Sequence, residues 1–378
     1  MVDNIRILRV ANSIYPEVVG GVGLHVHHMS RLQAQMGHEV TILTSDNGDH
    51  TLPRQEFRNG YNLLRHNELF RPLDNSITPR IIQTLYNKYK KFDILHIHSH
   101  LYASSNIAAV FARLGSIPAV VTNHGLISQT APHWLHRIYN PTLGKFTFES
   151  AEQILCYTDT DKARLEDRDI NTDISVISNG IDCAEFKPRN GESGNQLLFV
   201  GRLKEGKGPK YLLRAFSKLT TKFTDLKLKI VGDGPLKGEL EAKAVKLNIS
   251  NQVEFLGEIP NERLPKIYDN SSVFVLPSFS EGLPRTVLEA MACSTPVVVT
   301  NLPQLQPIVE GAGITVDPGN STQLFDAAKH LLNSPEERAQ MGKCGREKIV
   351  ENYSWRNTVE RTTNIYRDIL RNSTKSKQ

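Results

Sequence analysis

The sequence predicts an α/β protein of two Rossmann-like domains, with parallel sheets facing across a cleft. Three observations carry that reading. Short β-branched and aliphatic runs alternate with amphipathic helical stretches from end to end, the pattern of parallel sheets covered by helices on both faces. The alternation runs through twice, and a polar stretch rich in Gly and Pro, Lys187–Asn195, interrupts it. At 378 residues the chain is also long enough for two domains with full cores.

In the first half the strand-like runs are Ile5–Val10, Glu39–Leu43, Ile94–Ile97, Ala119–Thr122, Ile154–Tyr157 and Ile174–Ile177. The helix between the first two, Val22–Met36, places Val22, Val26, Met29, Leu32 and Met36 on one face. The second half repeats the scheme with Leu197–Val200, Leu228–Val231, Val253–Leu256, Val273–Leu276, Val297–Thr300 and Ile314–Val316. The expected boundaries are an N-terminal domain at 1–186, a linker at 187–195 and a C-terminal domain at 196–353, followed by a closing segment at 354–378.

Bulk properties narrow the class. No apolar run approaches the roughly 20 residues of a membrane span, and Ile5–Val10, broken by arginines, is too short for a signal-peptide core. Cys156, Cys183, Cys293 and Cys344 show neither metal spacing nor a disulfide framework, which fits a reducing cytoplasm. A net charge of +5 without a basic tract interleaved with aromatics gives no sign of a nucleic-acid partner. The positive excess lies in the second half; the first holds slightly more acidic than basic residues.

The chemistry concentrates in that second half. Glu281-Gly-Leu-Pro-Arg-Thr-Val-Leu-Glu289 follows the buried run Val273–Leu276. Pro284 suits a first helical turn, which places Glu281 in a loop and Glu289 about two turns into a helix. The amides of Gly282, Leu283 and Arg285 are then free to point at an anion. Upstream, Gly201-Arg202…Lys207-Gly208 sits between the strand Leu197–Val200 and a helix opened by Pro209, the end of an open α/β sheet where ligands bind. Taken singly, these are a capping Glu, a solvated Glu and basic residues on an ordinary crossover. Together, carboxylates suited to sugar hydroxyls and cations suited to a diphosphate read as a nucleotide-sugar site.

The first half adds Gly20-Gly-Val-Gly23 at the start of a helix. It is not a dinucleotide fingerprint, because the pattern fails at Val26, but Gly21 can let the backbone approach a phosphate or sugar. His124 follows a buried strand in Thr122-Asn-His-Gly125 and is expected to face ligand. The histidines at 25, 27, 28, 96, 98 and 100 have no acidic or Cys partner at ligand spacing, so no metal site is expected. Asp159-Thr-Asp161 precedes a helical run and reads as capping. Arg80–Phe92 sets Ile81, Leu85 and Tyr89 on one face with Lys88, Lys90 and Lys91 near its end. That pattern suits either a helix covering the next strand or a peripheral contact with an anionic membrane.

With these segments in hand, the chain resembles the retaining GT-B glycosyltransferases of family 4, group 1, which include bacterial mannosyl- and glucosyltransferases and sucrose synthase. The matching segments are Pro16…Gly20-Gly21, Asp93-Ile-Leu-His-Ile-His98, Thr122-Asn-His-Gly125, Val176-Ile-Ser-Asn-Gly-Ile-Asp182, Phe199-Val-Gly-Arg-Leu…Lys207-Gly208, Val231-Gly-Asp-Gly-Pro235 and Glu281–Glu289 running into Ala292. The resemblance implies a metal-independent, cofactor-free hexosyltransferase that retains anomeric configuration. Its donor would be a UDP- or GDP-linked sugar, and its acceptor a hydroxyl on a glycan, lipid or small molecule. Arg202 and Lys207 would bind the diphosphate, Glu289 the ribose, and Glu281 the transferred sugar. His124 and the amide at Gly21 would approach the sugar and the β-phosphate, while the Gly232–Pro235 and Gly257–Pro260 loops would line the base pocket. The closing helix would cross back onto the first domain. Glu281, His124, Arg202 and Lys207 are thus the expected catalytic set, with Gly21, Gly232, Gly282, Leu283 and Glu289 joining Arg202 and Lys207 at the donor. A cytoplasmic enzyme, in peripheral contact with the membrane where its acceptor is lipid-linked, is implied. The chain departs from the family at Ser294, where Gly is usual, and at Leu302-Pro-Gln-Leu-Gln306, where a Gly-Gly loop is usual. A nucleotide-sugar epimerase on the same architecture and a non-catalytic sugar-nucleotide-binding protein are the alternatives. Incubation with nucleotide sugars, with and without acceptors, separates all three.

Overall fold

The computed structural model describes residues 4–18, 20–115, 117–126, 130–188 and 194–375. It divides into two compact units. One comprises residues 1–179 with 355–378, the other 180–354. The division falls ahead of the polar Lys187–Asn195 stretch, whose residues 189–193 lie outside the described ones.

The first unit is built on eight strands: β1 (Arg6–Val10), β2 (Glu39–Ser45), β3 (Gln55–Arg58), β4 (Tyr61–His66), β5 (Ile94–His98), β6 (Ala119–Thr122), β7 (Gln153–Cys156) and β8 (Ile174–Val176). They lie in the order β3-β4-β2-β1-β5-β6-β7-β8. All neighbours are parallel except β3 and β4, an antiparallel hairpin at the edge. The helices are α1 (Gly21–Gln35), α2 (Arg80–Lys88), α3 (Ala103–Gly115), α4 (His133–Tyr139), α5 (Lys145–Glu149) and α6 (Asp159–Glu166); a π-helical turn, Asn140–Gly144, joins α4 to α5. Strand alternation sends Leu8, Val10, Leu95 and Ile97 into a core with Ile81, Leu85, Ala108 and Phe148. Ile5, Ile7 and Ile94 enter another core with Val26 and Tyr366. The sheet is therefore covered on both faces. Ile81 and Leu85 of α2 are fully buried, so that helix spends its apolar face on the core.

The second unit holds six parallel strands, β9 (Gly194–Val200), β10 (Lys227–Val231), β11 (Val253–Gly257), β12 (Ser271–Leu276), β13 (Val297–Thr300) and β14 (Gly313–Val316), in the order β11-β10-β9-β12-β13-β14. Its helices are α7 (Pro209–Leu219), α8 (Lys237–Lys246), α9 (Leu264–Asp269), α10 (Arg285–Ala292), α11 (Gln306–Val309), α12 (Ser321–Asn333) and α13 (Pro335–Asn352). A single core with Phe199, Phe216, Phe274, Leu276, Leu288 and Val298 binds them. The last helix, α14 (Trp355–Lys375), belongs to the first unit, where Tyr366 enters the core beside Val26 of α1.

Two local features differ from the sequence reading. The β3–β4 hairpin was not among the expected strands: β3 is four residues and polar, and β4, although it buries Tyr61, Leu63 and Leu64, is interrupted by Asn62 and Arg65. Its turn, Asn59-Gly60, has φ of 50° and 89°, the double left-handed geometry for which Asn-Gly is the usual signal. At α10, Pro284 is the extended N-cap and the helix starts at Arg285, so Glu289 stands about one turn into the helix, not two.

Candidate functional site

In the second unit the diphosphate-type turn and the carboxylate loop come together. β9 ends at Val200 and α7 begins at Pro209, leaving Arg202 and Lys207 on the connection. Gly208 closes it at φ 66°, and a Cβ there would fall 2.1 Å from the Pro277 carbonyl. The connection after β12 thus packs on the connection after β9, as far as a side-chain-free residue permits. Across this contact the Lys207 Nζ lies 2.6 and 2.8 Å from the two carboxylate oxygens of Glu281. Arg202 is exposed, and its side chain makes no hydrogen bond or ion pair among the described residues.

The carboxylate loop is fixed from behind. Gln304, buried, donates its side-chain amide to the Glu281 carbonyl. The amides of Gly282 and Leu283, ahead of α10, donate no hydrogen bond among the described residues and stand at a helix N-terminus, where an anion is favoured. Glu289 is buried. The Tyr268 hydroxyl donates to its Oε2 at 3.0 Å, and the Arg285 guanidinium lies 3.3 Å from its Oε1. Burial, reinforced by the Glu289 charge, pushes the Tyr268 phenol well above its ordinary range. The Gly232 amide is spent on the Gly257 carbonyl at 2.7 Å, so it holds loop to loop. Tyr268 and Gln304 escaped the sequence reading, since each acts on a partner more than twenty positions away; the side chain of Arg285 was missed although its i,i+4 spacing to Glu289 was there to be read.

In the first unit, Gly21 opens α1 with nothing within 4 Å of where a Cβ would stand. His124 does not stand alone. Arg9 on β1 is fully buried and places Nη1 3.0 Å from both His96 Nδ1 and His98 Nε2. A guanidinium only donates, so His98 must accept at Nε2 and carry its proton on Nδ1. That Nδ1 lies 3.1 Å from His124 Nε2, and His124 Nδ1 lies 2.7 Å from the Tyr157 hydroxyl. The polarity runs one way: Arg9 to His98, His98 to His124, His124 to Tyr157. Burial pushes His124 down to about 3, and burial beside Arg9 holds His96 and His98 well below the usual imidazole range.

One nitrogen each from His25, His98 and His124 lies within 4.8 Å of the others, a convergence of α1, β5 and the β6 connection that spacing in sequence does not show. The fixed cation on the far nitrogen of His98 opposes a second cation among them. Asp159 and Asp161 open α6, where Thr158 is the N-cap, accepting from the Asp161 amide at 3.1 Å.

Comparison with known proteins decides the family. Residues 19–185 match the model described as Glycosyltransferase Family 4, and residues 182–348 the model for Glycosyl transferases group 1. A D-inositol 3-phosphate glycosyltransferase from Corynebacterium urealyticum is 30% identical over 302 residues, 72% of this chain and 71% of that protein. The chain belongs to this glycosyltransferase family. Over 96% of the chain it is also 26% identical to a glycogen synthase from Mycobacterium tuberculosis, covering 94% of that protein. Among solved structures, sucrose-phosphate synthase from Thermosynechococcus elongatus superposes with a TM-score of 0.79 at 22% identity, covering 97% and 99% of the two chains. Anabaena HepE in complex with UDP gives 0.77 at 15%, covering 96% and 100%. The fold is GT-B, and the protein is a glycosyltransferase using a nucleotide-sugar donor.

Within this glycosyltransferase the two departures from the family pattern become intelligible. Ser294 follows α10 with φ 59°, the left-handed position for which Gly is favoured after a helix. Gln304, in place of a Gly-Gly loop, supplies the side-chain amide that holds the Glu281 carbonyl.

Proposed function

We propose that this glycosyltransferase moves a hexose from a UDP- or GDP-linked donor to a hydroxyl of a glycan, lipid or small molecule, retaining configuration without a metal. The observation that carries the reading is the Lys207–Glu281 contact beside the exposed Arg202, one place offering both a diphosphate-binding and a sugar-binding charge.

The chemistry follows from charge. As the glycosidic bond breaks, negative charge gathers on the departing diphosphate and positive charge on the sugar ring. Arg202, Lys207 and the amides of Gly282 and Leu283 stabilise the first better in the transition state than before it. Lys207 turns from Glu281 toward the phosphate, and Glu281 is released to the sugar hydroxyls. Glu289, oriented by Tyr268 and Arg285, takes the ribose. Gly232 acts by shaping the base-side loop, and Gly21 by leaving room at the start of α1. His124 is held at both nitrogens by His98 and Tyr157, so it contacts the sugar only by giving up one of these bonds, and being neutral it does not act as a proton donor. A lipid-linked acceptor would bring the first unit to a cytoplasmic membrane surface. No described helix is long and apolar enough to cross a membrane.

The test is a panel of nucleotide sugars with and without acceptors, EDTA present, following the anomeric proton by NMR. Acceptor-dependent transfer with retention is expected. Donor conversion without acceptor, an inverted product, or loss of activity to the chelator would each overturn part of the proposal.

A further inference from the structure

The core of the first unit holds a cation without a countercharge. Arg9, near the end of β1, is fully buried and forms no ion pair among the described residues. Its Nη1 reaches His96 and His98 at 3.0 Å, and its Nη2 reaches the Gln33 amide oxygen. Burial keeps the Tyr366 phenol beside it above the ordinary range, and so neutral. The Arg9 Nε has no hydrogen-bond partner among the described residues. Burying an ion without a countercharge is costly, and an apolar side chain of similar size is often the more stable choice. Stability alone therefore does not account for Arg9.

What Arg9 does fix is the direction of two hydrogen-bond chains. The two N–H groups on Nη1 go one to each imidazole. His96 thus accepts at Nδ1 and carries its proton on Nε2, which donates to the Thr122 hydroxyl at 2.7 Å. His98 accepts at Nε2 and donates from Nδ1 to His124 Nε2 at 3.1 Å. Both chains end on the segment that leaves β6, Thr122-Asn-His-Gly125. The hydrogen bond at one ring nitrogen sets where the proton sits on the other, so His124 keeps a lone pair at Nε2 and a proton at Nδ1. Removing the guanidinium frees His98 and His124 to take the opposite tautomers together, with the bond between them kept but reversed.

We propose that Arg9 is a positioning residue for glycosyl transfer, acting through His98 to hold His124 in the tautomer with its proton on Nδ1. On releasing His98, His124 then accepts from a sugar hydroxyl at Nε2; on releasing Tyr157, it donates to a sugar oxygen from Nδ1. The reversed chain exchanges these roles. A sugar hydroxyl can adapt to either polarity, but only by leaving the orientation its other contacts require, so the rate of transfer registers the reversal. The proposal rests on the assignment of His124 to the sugar made above.

NMR of the full-length enzyme, with its histidine ring nitrogens isotopically labelled and no donor present, reads the tautomers directly; His124 is assigned by the signal missing from His124→Ala. Its proton is expected on Nδ1 in wild type and in a mixed or reversed state in Arg9→Met. With the donor and acceptor found active in the panel above, Arg9→Met should lower kcat about two- to tenfold, the worth of one hydrogen bond. Its affinities for UDP and GDP should stay as in wild type, because the residues proposed to bind the diphosphate lie in the other unit. Variants at His98 carry the test even where Arg9→Met does not fold. A glutamine there can accept from Arg9 through its oxygen and donate to His124 through its nitrogen. His98→Gln should therefore keep the His124 tautomer and most of kcat, and His98→Leu should lose both. If His124→Ala transfers at the wild-type rate, the sugar assignment and the role of Arg9 fall together. If His124→Ala is impaired and Arg9→Met is not, only the role of Arg9 falls. A wild-type His124 protonated on Nε2, equal losses in the two His98 variants, or a slowed Arg9→Met with the His124 tautomer unchanged would each overturn the proposal.

Discussion

Lys207 and Glu281 form an ion pair 2.6 Å long inside the proposed donor site, with the Glu281 side chain only 8% exposed. Each is the other's partner, so on the proposed function diphosphate binding competes with an internal carboxylate. Two opposite effects follow. Lys207→Ala, losing a charge-assisted contact worth roughly 1.5–3 kcal/mol, should lower kcat/KM about ten- to a hundredfold, and Arg202→Ala should do the same. Glu281→Gln should lower kcat yet tighten binding of the free nucleoside diphosphate several-fold, because Lys207 loses its competitor. Calorimetry with UDP and GDP alongside steady-state kinetics checks this; weaker nucleotide binding in Glu281→Gln would show that the pair does not compete with the diphosphate.

Much of this was legible from residue order alone. Alternating runs gave both sheets, since buried parallel strands are continuous apolar stretches, and the Gly201–Gly208 and Glu281–Glu289 segments marked two connections that fold side by side. The hairpin at Gln55–His66 was missed because β3 is a short polar edge strand and β4, though paired on both sides, mixes Asn62 and Arg65 with its buried residues, so neither is a continuous apolar run, although Asn59-Gly60 signalled the turn. The side chains that orient the site were beyond reach for a different reason. Gln304, Tyr268 and Arg9 act on partners brought together only by the sheet, and a lone Gln, Tyr or strand Arg has no periodic signal.

Gln304 offers a sharp probe of that second kind of residue. Its amide restrains the carbonyl of Glu281 and leaves the carboxylate alone, so its loss should disturb sugar placement more than nucleotide grip. With one hydrogen bond worth about 0.5–1.5 kcal/mol, Gln304→Leu should reduce kcat about two- to tenfold, with nucleoside diphosphate affinity nearly unchanged. A fall confined to nucleotide affinity would place Gln304 in the base pocket instead.

Ser294 should be a stabilising site for substitution. At φ 59° an L-residue costs about 1–2 kcal/mol relative to the right-handed region. Gly removes that cost but adds about 0.4–1 kcal/mol of unfolded-state entropy. Ser294→Gly is therefore expected to gain about 0.5–1 kcal/mol, a rise of a few degrees at most in Tm for a unit of this size. Ser294→Val should lose stability, as a β-branched residue fits that region worst. Thermal melts of the three proteins decide the matter, and no gain in the glycine variant would mean the αL geometry is not a source of strain.

The histidine cluster predicts an acid-sensitive first unit. Burial holds His100 and His124 down to about 3 and His27 to about 4, with His96 and His98 well below the usual range. Unfolding restores each to an ordinary value near 6.5, so the unfolded chain binds more protons between those limits. The stability these groups contribute is complete above about pH 6.5 and is lost as pH falls toward the folded values. At pH 5 a histidine shifted from about 6.5 to about 3 has withdrawn roughly 2 kcal/mol. A few of them together rival the 5–15 kcal/mol of a typical domain. Glu56, held down to about 2 by Arg58 and Arg65, acts only below its own unfolded value near 4.5, so the window from pH 7 to 5 isolates the imidazoles. Trp134 and Trp355 both lie in the first unit, and urea unfolding followed by tryptophan emission reports that unit. A marked loss of stability from pH 7 to pH 5 is expected. It should shrink by about 2 kcal/mol in His100→Gln, which cannot titrate. The same loss in wild type and His100→Gln would assign the acid sensitivity to other groups.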